Sequence, residues 1–162
     1  MRWNKLIVLI SLLVLLFFTG SSCRQTDFVG LSTSYLKRDI PMSGAQETPA
    51  TPSSAQGTMD VSYSKTTKVL SYKITWQNLA DTITGIHIHG LAPAGYPAGI
   101  VQNILTTKNE TAFPHSAGTY SGSLLVDDIL IKEENLLNGL YYLNIHTKTY
   151  PGGEIRGQIR FN

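Results

Sequence analysis

Two histidines one residue apart, His87 and His89, and a third at His146 are the side chains of this 162-residue chain best suited to chemistry. Neutral imidazole is a ligand for zinc and copper. An i, i+2 pair on a strand offers two rings to one ion, and a third ring from a neighbouring strand completes a minimal site. In a strand, residues two apart share a face. Ile86 and Ile88 therefore point to a core and His87 and His89 to the outer face of the sheet. Leu143 and Ile145 likewise point inward, and Asn144 and His146 outward. The same parity sets Glu154, Arg156 and Gln158 against Ile155, Gly157 and Ile159. If the three strands are neighbours, His87, His89, His146 and Glu154 converge, with Arg156 beside them. The competing use of these histidines is to hydrogen-bond loop backbone and fix the turn-rich segments Gly90–Gly99 and Thr147–Gly153. Tyr96 and Tyr150 in those segments either roof the rings or pack their own loops. His115, in Phe113-Pro114-His115-Ser116, reads as a solvated loop residue. No nucleophile elbow, phosphate loop or dinucleotide fingerprint is present, so hydrolase, kinase and dehydrogenase readings have no support.

The elements that must carry these residues are strands. Period-two alternation between turn signals predicts them over Tyr35–Met42, Gly57–Tyr63, Val69–Trp76, Thr84–His89, Gly99–Leu105, Gly118–Val126, Gly139–His146 and Glu154–Phe161. Pro49, Pro52, Pro93, Pro97, Pro114 and Pro151 fall outside their interiors, where proline does not remove a ladder bond. Between Asp127 and Gly139 an acidic start, near-helical apolar spacing and a glycine stop predict one short helix. The expected class is all-β: an antiparallel Greek-key β-sandwich or barrel of about eight strands.

The N-terminus has the order of a secretory signal: Arg2 and Lys5, an apolar run from Leu6 to Phe18, then Thr19-Gly20-Ser21-Ser22 before Cys23. The run is about 13 residues where a spanning helix needs about 20. Gly20-Ser21-Ser22-Cys23 resembles the lipobox of bacterial lipoproteins, with Gly20 in place of the usual leucine. The expected organisation is a signal peptide over 1–22, a lipidated Cys23 and tether over 23–34, and a β domain over 35–162. The partner this implies is a lipid bilayer, reached through Cys23 in the cell envelope. Loss of Arg2 and Lys5 with the signal leaves 11 of the 13 basic residues against 11 acidic ones. A near-neutral chain with no basic run interleaved with aromatics does not suit nucleic acid. The sequon at Asn109-Glu110-Thr111 carries no weight in a bacterial lipoprotein.

Four ordered motifs carry a resemblance. Ser43-Gly44-Ala45-Gln46-Glu47-Thr48-Pro49, Gly57-Thr58, His87-Ile88-His89-Gly90 with Pro93-Ala94-Gly95, and Tyr142 to His146 followed by Tyr150-Pro151-Gly152-Gly153-Glu154-Ile155-Arg156-Gly157-Gln158-Ile159 together resemble the CHRD (chordin-type) domain. The domain occurs in the animal protein chordin and in bacterial secreted proteins. The resemblance spans about Tyr35 to Asn162 and implies fold more than function. A weaker similarity is to copper–zinc superoxide dismutase, a Greek-key barrel with a His-x-His strand and a later single histidine. His87, His89 and His146 fall on those positions. Glu154 stands where that enzyme has its anion-guiding arginine, and the cysteine pair and zinc-loop ligands have no counterpart.

The reading these observations support is a non-enzymatic surface or envelope lipoprotein, a binding or interaction module with an extracellular or envelope protein partner. The alternative is a copper- or zinc-binding protein of the same fold, using His87, His89 and His146 with Glu154, Arg156, Tyr96 and Tyr150 around them.

Overall fold

The structure is a computed structural model, and it describes residues 33–106 and 116–162. Contacts divide the chain into units 1–31 and 32–162, and the described residues all belong to the second. The signal, Cys23, most of the tether, Asn109 and His115 lie outside the described residues.

Eight strands form one antiparallel sheet: β1 Ser34–Ser43, β2 Gln56–Ser64, β3 Val69–Gln77, β4 Ile83–Gly90, β5 Ile100–Thr106, β6 Gly118–Leu125, β7 Tyr141–Thr147 and β8 Ile155–Gln158. Their order in space is β5-β4-β7-β8-β1-β2-β3-β6. The neighbours β4–β7, β8–β1 and β3–β6 are not consecutive in sequence, so the sheet is wound by Greek-key crossovers. The two edge strands approach each other, with the Tyr120 hydroxyl 3.4 Å from the Ile104 carbonyl, and the sheet is a nearly closed barrel.

Alternation explains β2 and β3 directly. Met59, Val61 and Tyr63 face inward between Thr58, Asp60 and Ser62, and Leu70, Tyr72, Ile74 and Trp76 face inward between Ser71, Lys73 and Thr75. β1 is interrupted by a bulge between Lys37 and Ile40. Asp39 there has φ +55°, and its N–H donates to the Asp60 carboxylate at 2.9 Å.

The helical stretch is shorter than its sequence suggests. Only Glu133–Leu137, here α1, is helical. Before it, the Asp127 carboxylate accepts the N–H groups of Ile129, Leu130 and Ile131 at 2.9, 2.9 and 3.2 Å, which closes a tight loop instead of a first turn. The last strand is also shorter, because Ile159 passes to a single backbone bond with Tyr141 and pairing ends.

β7 and β8 depart from simple alternation, since every residue in both is buried. Ile86 pairs with Ile145 and Ile88 with Leu143, while Ile145 pairs with Ile155, and these fill the barrel. The opposite face carries His87 opposite Asn144, His89 opposite Tyr142, Asn144 opposite Arg156 and Tyr142 opposite Gln158. The segments 44–55, 91–99 and 148–154 supply the contacts that cover it. The barrel therefore has two interiors, an apolar one inside and a polar one outside β4, β7 and β8.

The register also sorts the two ends. Ser34, the turn 65–68, the loop 126–132, α1 and the close of β4 at Gly90 share the N-terminal end. Segments 44–55 and 148–154 lie at the opposite end.

Candidate metal centre

His87 and His89 come from β4, and His146 comes from the end of β7 beside it, where it lies opposite Gly85. The rings cluster. The His87 and His146 centroids are 4.5 Å apart, and His89 lies 5.8 Å from each. One nitrogen from each ring can be chosen so that all three lie within 4.8 Å of one another.

Loop backbone sets two of the rings. His89 Nδ1 lies 2.9 Å from the Ala98 carbonyl and His146 Nδ1 lies 2.9 Å from the Pro151 carbonyl. A carbonyl only accepts, so both Nδ1 atoms carry the proton and both Nε2 atoms are left with lone pairs. This is the arrangement by which metal-binding histidines are usually oriented, the far nitrogen being fixed by an outer acceptor. His89 Nε2 and His87 Nδ1 are buried and have no hydrogen-bond partner. His146 Nε2 lies 2.9 Å from Asn144 Oδ1. An amide oxygen cannot donate, so that contact needs either a proton on Nε2 or the amide turned end for end. Gly85 leaves the space that the His87 ring occupies, since a Cβ there would stand 2.6 Å from its Nε2.

The second layer is a column. The Arg156 guanidinium lies 3.3 Å over the Tyr142 ring, whose other neighbour is the His89 ring at 4.8 Å and 5° from parallel. The Ala98 N–H donates to the Tyr142 hydroxyl at 3.1 Å, so the same residue that orients His89 also anchors the tyrosine. Arg156 donates to the carbonyls of Tyr96 at 2.9 Å and Pro93 at 3.4 Å and to Gln158 at 3.0 Å. Gln158 in turn donates to the carbonyls of Ala92 and Gly139. The loop 91–99 is thus pinned onto the outer face by two side chains of β8.

Burial pushes all three histidines below the ordinary imidazole range. His87 falls to about 4, helped by the other two rings, and His89 and His146 move the same way. At neutral pH the cluster is uncharged and offers lone pairs. Glu47, from the segment after β1, is the carboxylate nearest this layer. Burial raises it to about 6 against the opposing pull of the Asn144 amide and Arg156.

The remaining residues named from sequence fall as follows. Glu154 is fully buried and holds the far-end segments instead of the rings. Its carboxylate accepts from Ser53 at 2.6 Å, the Ala80 N–H at 2.9 Å and Thr147 at 2.7 Å. Tyr96 is 64% exposed, and its contribution is the carbonyl that receives Arg156. Tyr150 contributes a carbonyl that accepts from Thr147 and Gly153. Sequence reasoning placed Asn144 on the histidine face without a role, and it passed over Tyr142 and Glu47. Strand parity, extended two residues back from Asn144, finds Tyr142. Glu47 had no periodic signal.

The fold and the cluster together define a class: a nearly closed Greek-key β-barrel carrying a loop-covered histidine site on its outer face. Residues 39–159 match the family model for the CHRD domain. The match covers most of the chain, and the chain belongs to the CHRD domain family. No curated protein and no solved structure matched it.

Proposed function

We propose that this chain is a non-enzymatic, lipid-tethered envelope protein whose CHRD domain binds one copper or zinc ion through His87, His89 and His146. The observation that carries the reading is the cluster itself: three neutral rings with candidate ligand atoms within 4.8 Å, two of whose buried nitrogens have no partner. A buried polar atom left unpaired costs about 1–3 kcal/mol, and an ion would remove that cost. Zinc–nitrogen bonds of about 2.0–2.1 Å require nitrogens about 3.3–4.2 Å apart, so the widest pair must close by roughly 1 Å. Half-buried His87, with no hydrogen bond to its Nδ1, is the ring free to make that movement.

A non-enzymatic role is supported by Arg156. Its guanidinium lies over Tyr142, and three of its N–H donors go to Tyr96, Pro93 and Gln158. These bonds commit its fork to loop 91–99 and Gln158 and not to the rings. Tethering rests on Cys23 after Gly20-Ser21-Ser22.

Calorimetric titration of the metal-stripped protein with Zn²⁺ and Cu²⁺ tests the site. One ion per chain with micromolar or tighter affinity is expected, and binding no better than millimolar would remove the metal reading. Replacing Cys23 by serine tests the anchor separately. The variant should lose acyl labelling and leave the membrane fraction, and unchanged partitioning would count against tethering.

A further inference from the structure

Seven large apolar side chains are exposed among the described residues: Leu36, Leu91, Tyr96, Ile100, Leu125, Ile129 and Leu130. Six of them share the N-terminal end of the barrel, Ile100 through its pairing with His89 beside Gly90. Leu36 is the third residue of β1, Leu125 closes β6 opposite Val69, and Leu91 follows the last residue of β4. Ile129, 77% exposed, and Leu130, 54% exposed, form the tip of the loop closed by Asp127. Isolated exposed apolar side chains need no explanation, but six at one end of a small barrel do.

The loop that presents Ile129 and Leu130 is internally satisfied. Asp127 takes the N–H groups of Ile129, Leu130 and Ile131, and Asp128 takes that of Glu133 at 2.8 Å. The Tyr141 hydroxyl accepts the Lys132 N–H at 3.0 Å. Three backbone donors at the tip thus have partners and do not need water, a condition for placing backbone in a poorly hydrated layer. The charges at this end come from every element that meets there: Lys37, Arg38 and Asp39 from β1, Lys65 and Lys68 from the turn, Asp127, Asp128 and Lys132 from the loop, Glu133 and Glu134 from α1, and Arg160, beside Gly139, from the segment after β8. Glu133 is paired with both turn lysines. Six cations against five carboxylates leave the end within one charge of neutral. Its attraction to a surface is apolar.

The chain itself says what that surface is. β1 begins at Ser34, at this same end, only 11 residues after Cys23. Eleven residues reach at most about 40 Å when fully extended. We infer that this end docks on the lipid bilayer, with Ile129 and Leu130 inserted at the headgroup boundary and Leu36, Leu91 and Leu125 beside them. The inference rests on the proposed lipid anchor for its proximity but not for its chemistry. Acyl chains hold a protein near the membrane, and an apolar contact from the domain fixes which way it faces. The polar layer with the histidines then lies along the barrel wall, under its loops and away from the lipid.

The test uses the mature chain, acylated and as the Cys23→Ser form, on vesicles of phosphatidylethanolamine and phosphatidylglycerol. Ile129→Trp should show a blue-shifted emission quenched by lipids brominated on their acyl chains, while Ala50→Trp at the opposite end should show neither. Ile129→Ser combined with Leu130→Ser should weaken vesicle binding of the Cys23→Ser form by about tenfold or more, with little dependence on salt. Equal quenching at positions 129 and 50, or none at either, would overturn the inference. So would a dimer in solution that the double serine variant breaks while vesicle binding is unchanged, because the patch would then belong to a second copy. Mass spectrometry of the purified chain reads acylation independently. A chain without acyl groups that still passes the quenching test overturns the anchor and leaves the docking face standing.

Discussion

Gly153 shows how little room the histidine layer leaves. Its φ is +122°, and a Cβ there would stand 2.4 Å from Glu47 Oε1 and 2.6 Å from Asn144 Nδ2. Strain and collision act together, so Gly153→Ala is expected to destabilise the domain by about 2–4 kcal/mol, read as a lowered urea midpoint with an unchanged m-value. An Ala variant as stable as the parent would mean that Glu47 and Asn144 are not packed under this turn. Arg156 makes a second argument at the same scale. Its planar fork serves two loop carbonyls and Gln158 while its face covers Tyr142, and an ammonium cannot do all of these at once. Arg156→Lys should keep the charge yet cost about 2 kcal/mol, and it should raise amide exchange across loop 91–99. An unchanged exchange pattern would show that the loop is held by other contacts. Metal affinity in that variant should fall by about tenfold, the size usual for loss of a supporting group.

Among the elements, β7 carries both interiors on one strand. Ile145 is fully buried between Ile86 and Ile155, so Ile145→Asp places an unpaired charge in the apolar core. It should cost about 4 kcal/mol or more, enough to unfold a marginal domain, whereas Thr75→Asp on the exposed side of β3 should stay within about 0.5 kcal/mol. Equal melting shifts would mean the faces are reversed. The inward face of this strand was legible in sequence because Leu143 and Ile145 alternate with polar neighbours. The outward face was half legible. Parity places Asn144 and His146 there, but it cannot tell a solvent-facing residue from one under a loop, and Asn144 is 1% exposed. The gathering of His146 beside His87 depends on β4 pairing with β7 across a long stretch of chain, which no local pattern encodes. The Asp127–Ile131 loop defeated helical periodicity for a local reason, since Asp128 has φ +58° and the Asp127 carboxylate gathers the three N–H groups that follow. The divergence of Glu154 from the rings has a similar cause. Its parity is right, but Ser53, Ala80 and Thr147 reach it first.

At the scale of the whole molecule, the histidine layer ties stability to pH and, on the function proposed above, to metal. The fold holds His87 at about 4, well below the ordinary value of 6.5, and lowers His89 and His146 in the same direction, so these rings are neutral when folded and take up protons more readily when unfolded. Their contribution to stability is therefore complete above about pH 6.5 and is lost as pH falls toward 4. Glu47 works in the opposite sense. Its carboxyl is raised from 4.5 to about 6, so what it contributes is present below 4.5 and lost as pH rises through 6. Between pH 6.5 and 4.5 the two effects oppose each other, and three rings outweigh one carboxyl. The metal-free protein should lose about 10 °C in Tm from pH 7 to 4.5. His87→Gln, which cannot titrate, should flatten that slope, and Glu47→Gln should steepen it. Zinc or copper at a hundredfold excess over Kd should raise Tm at pH 7 by a similar amount, about 2.7 kcal/mol, and the rise should shrink toward pH 4.5 as protons compete for the same lone pairs. Calorimetric melting of the metal-free and loaded protein across this range decides the matter. A slope that His87→Gln leaves untouched would place the titrating groups elsewhere, and a metal effect that persists at pH 4.5 would mean that the ion is held by something other than imidazole.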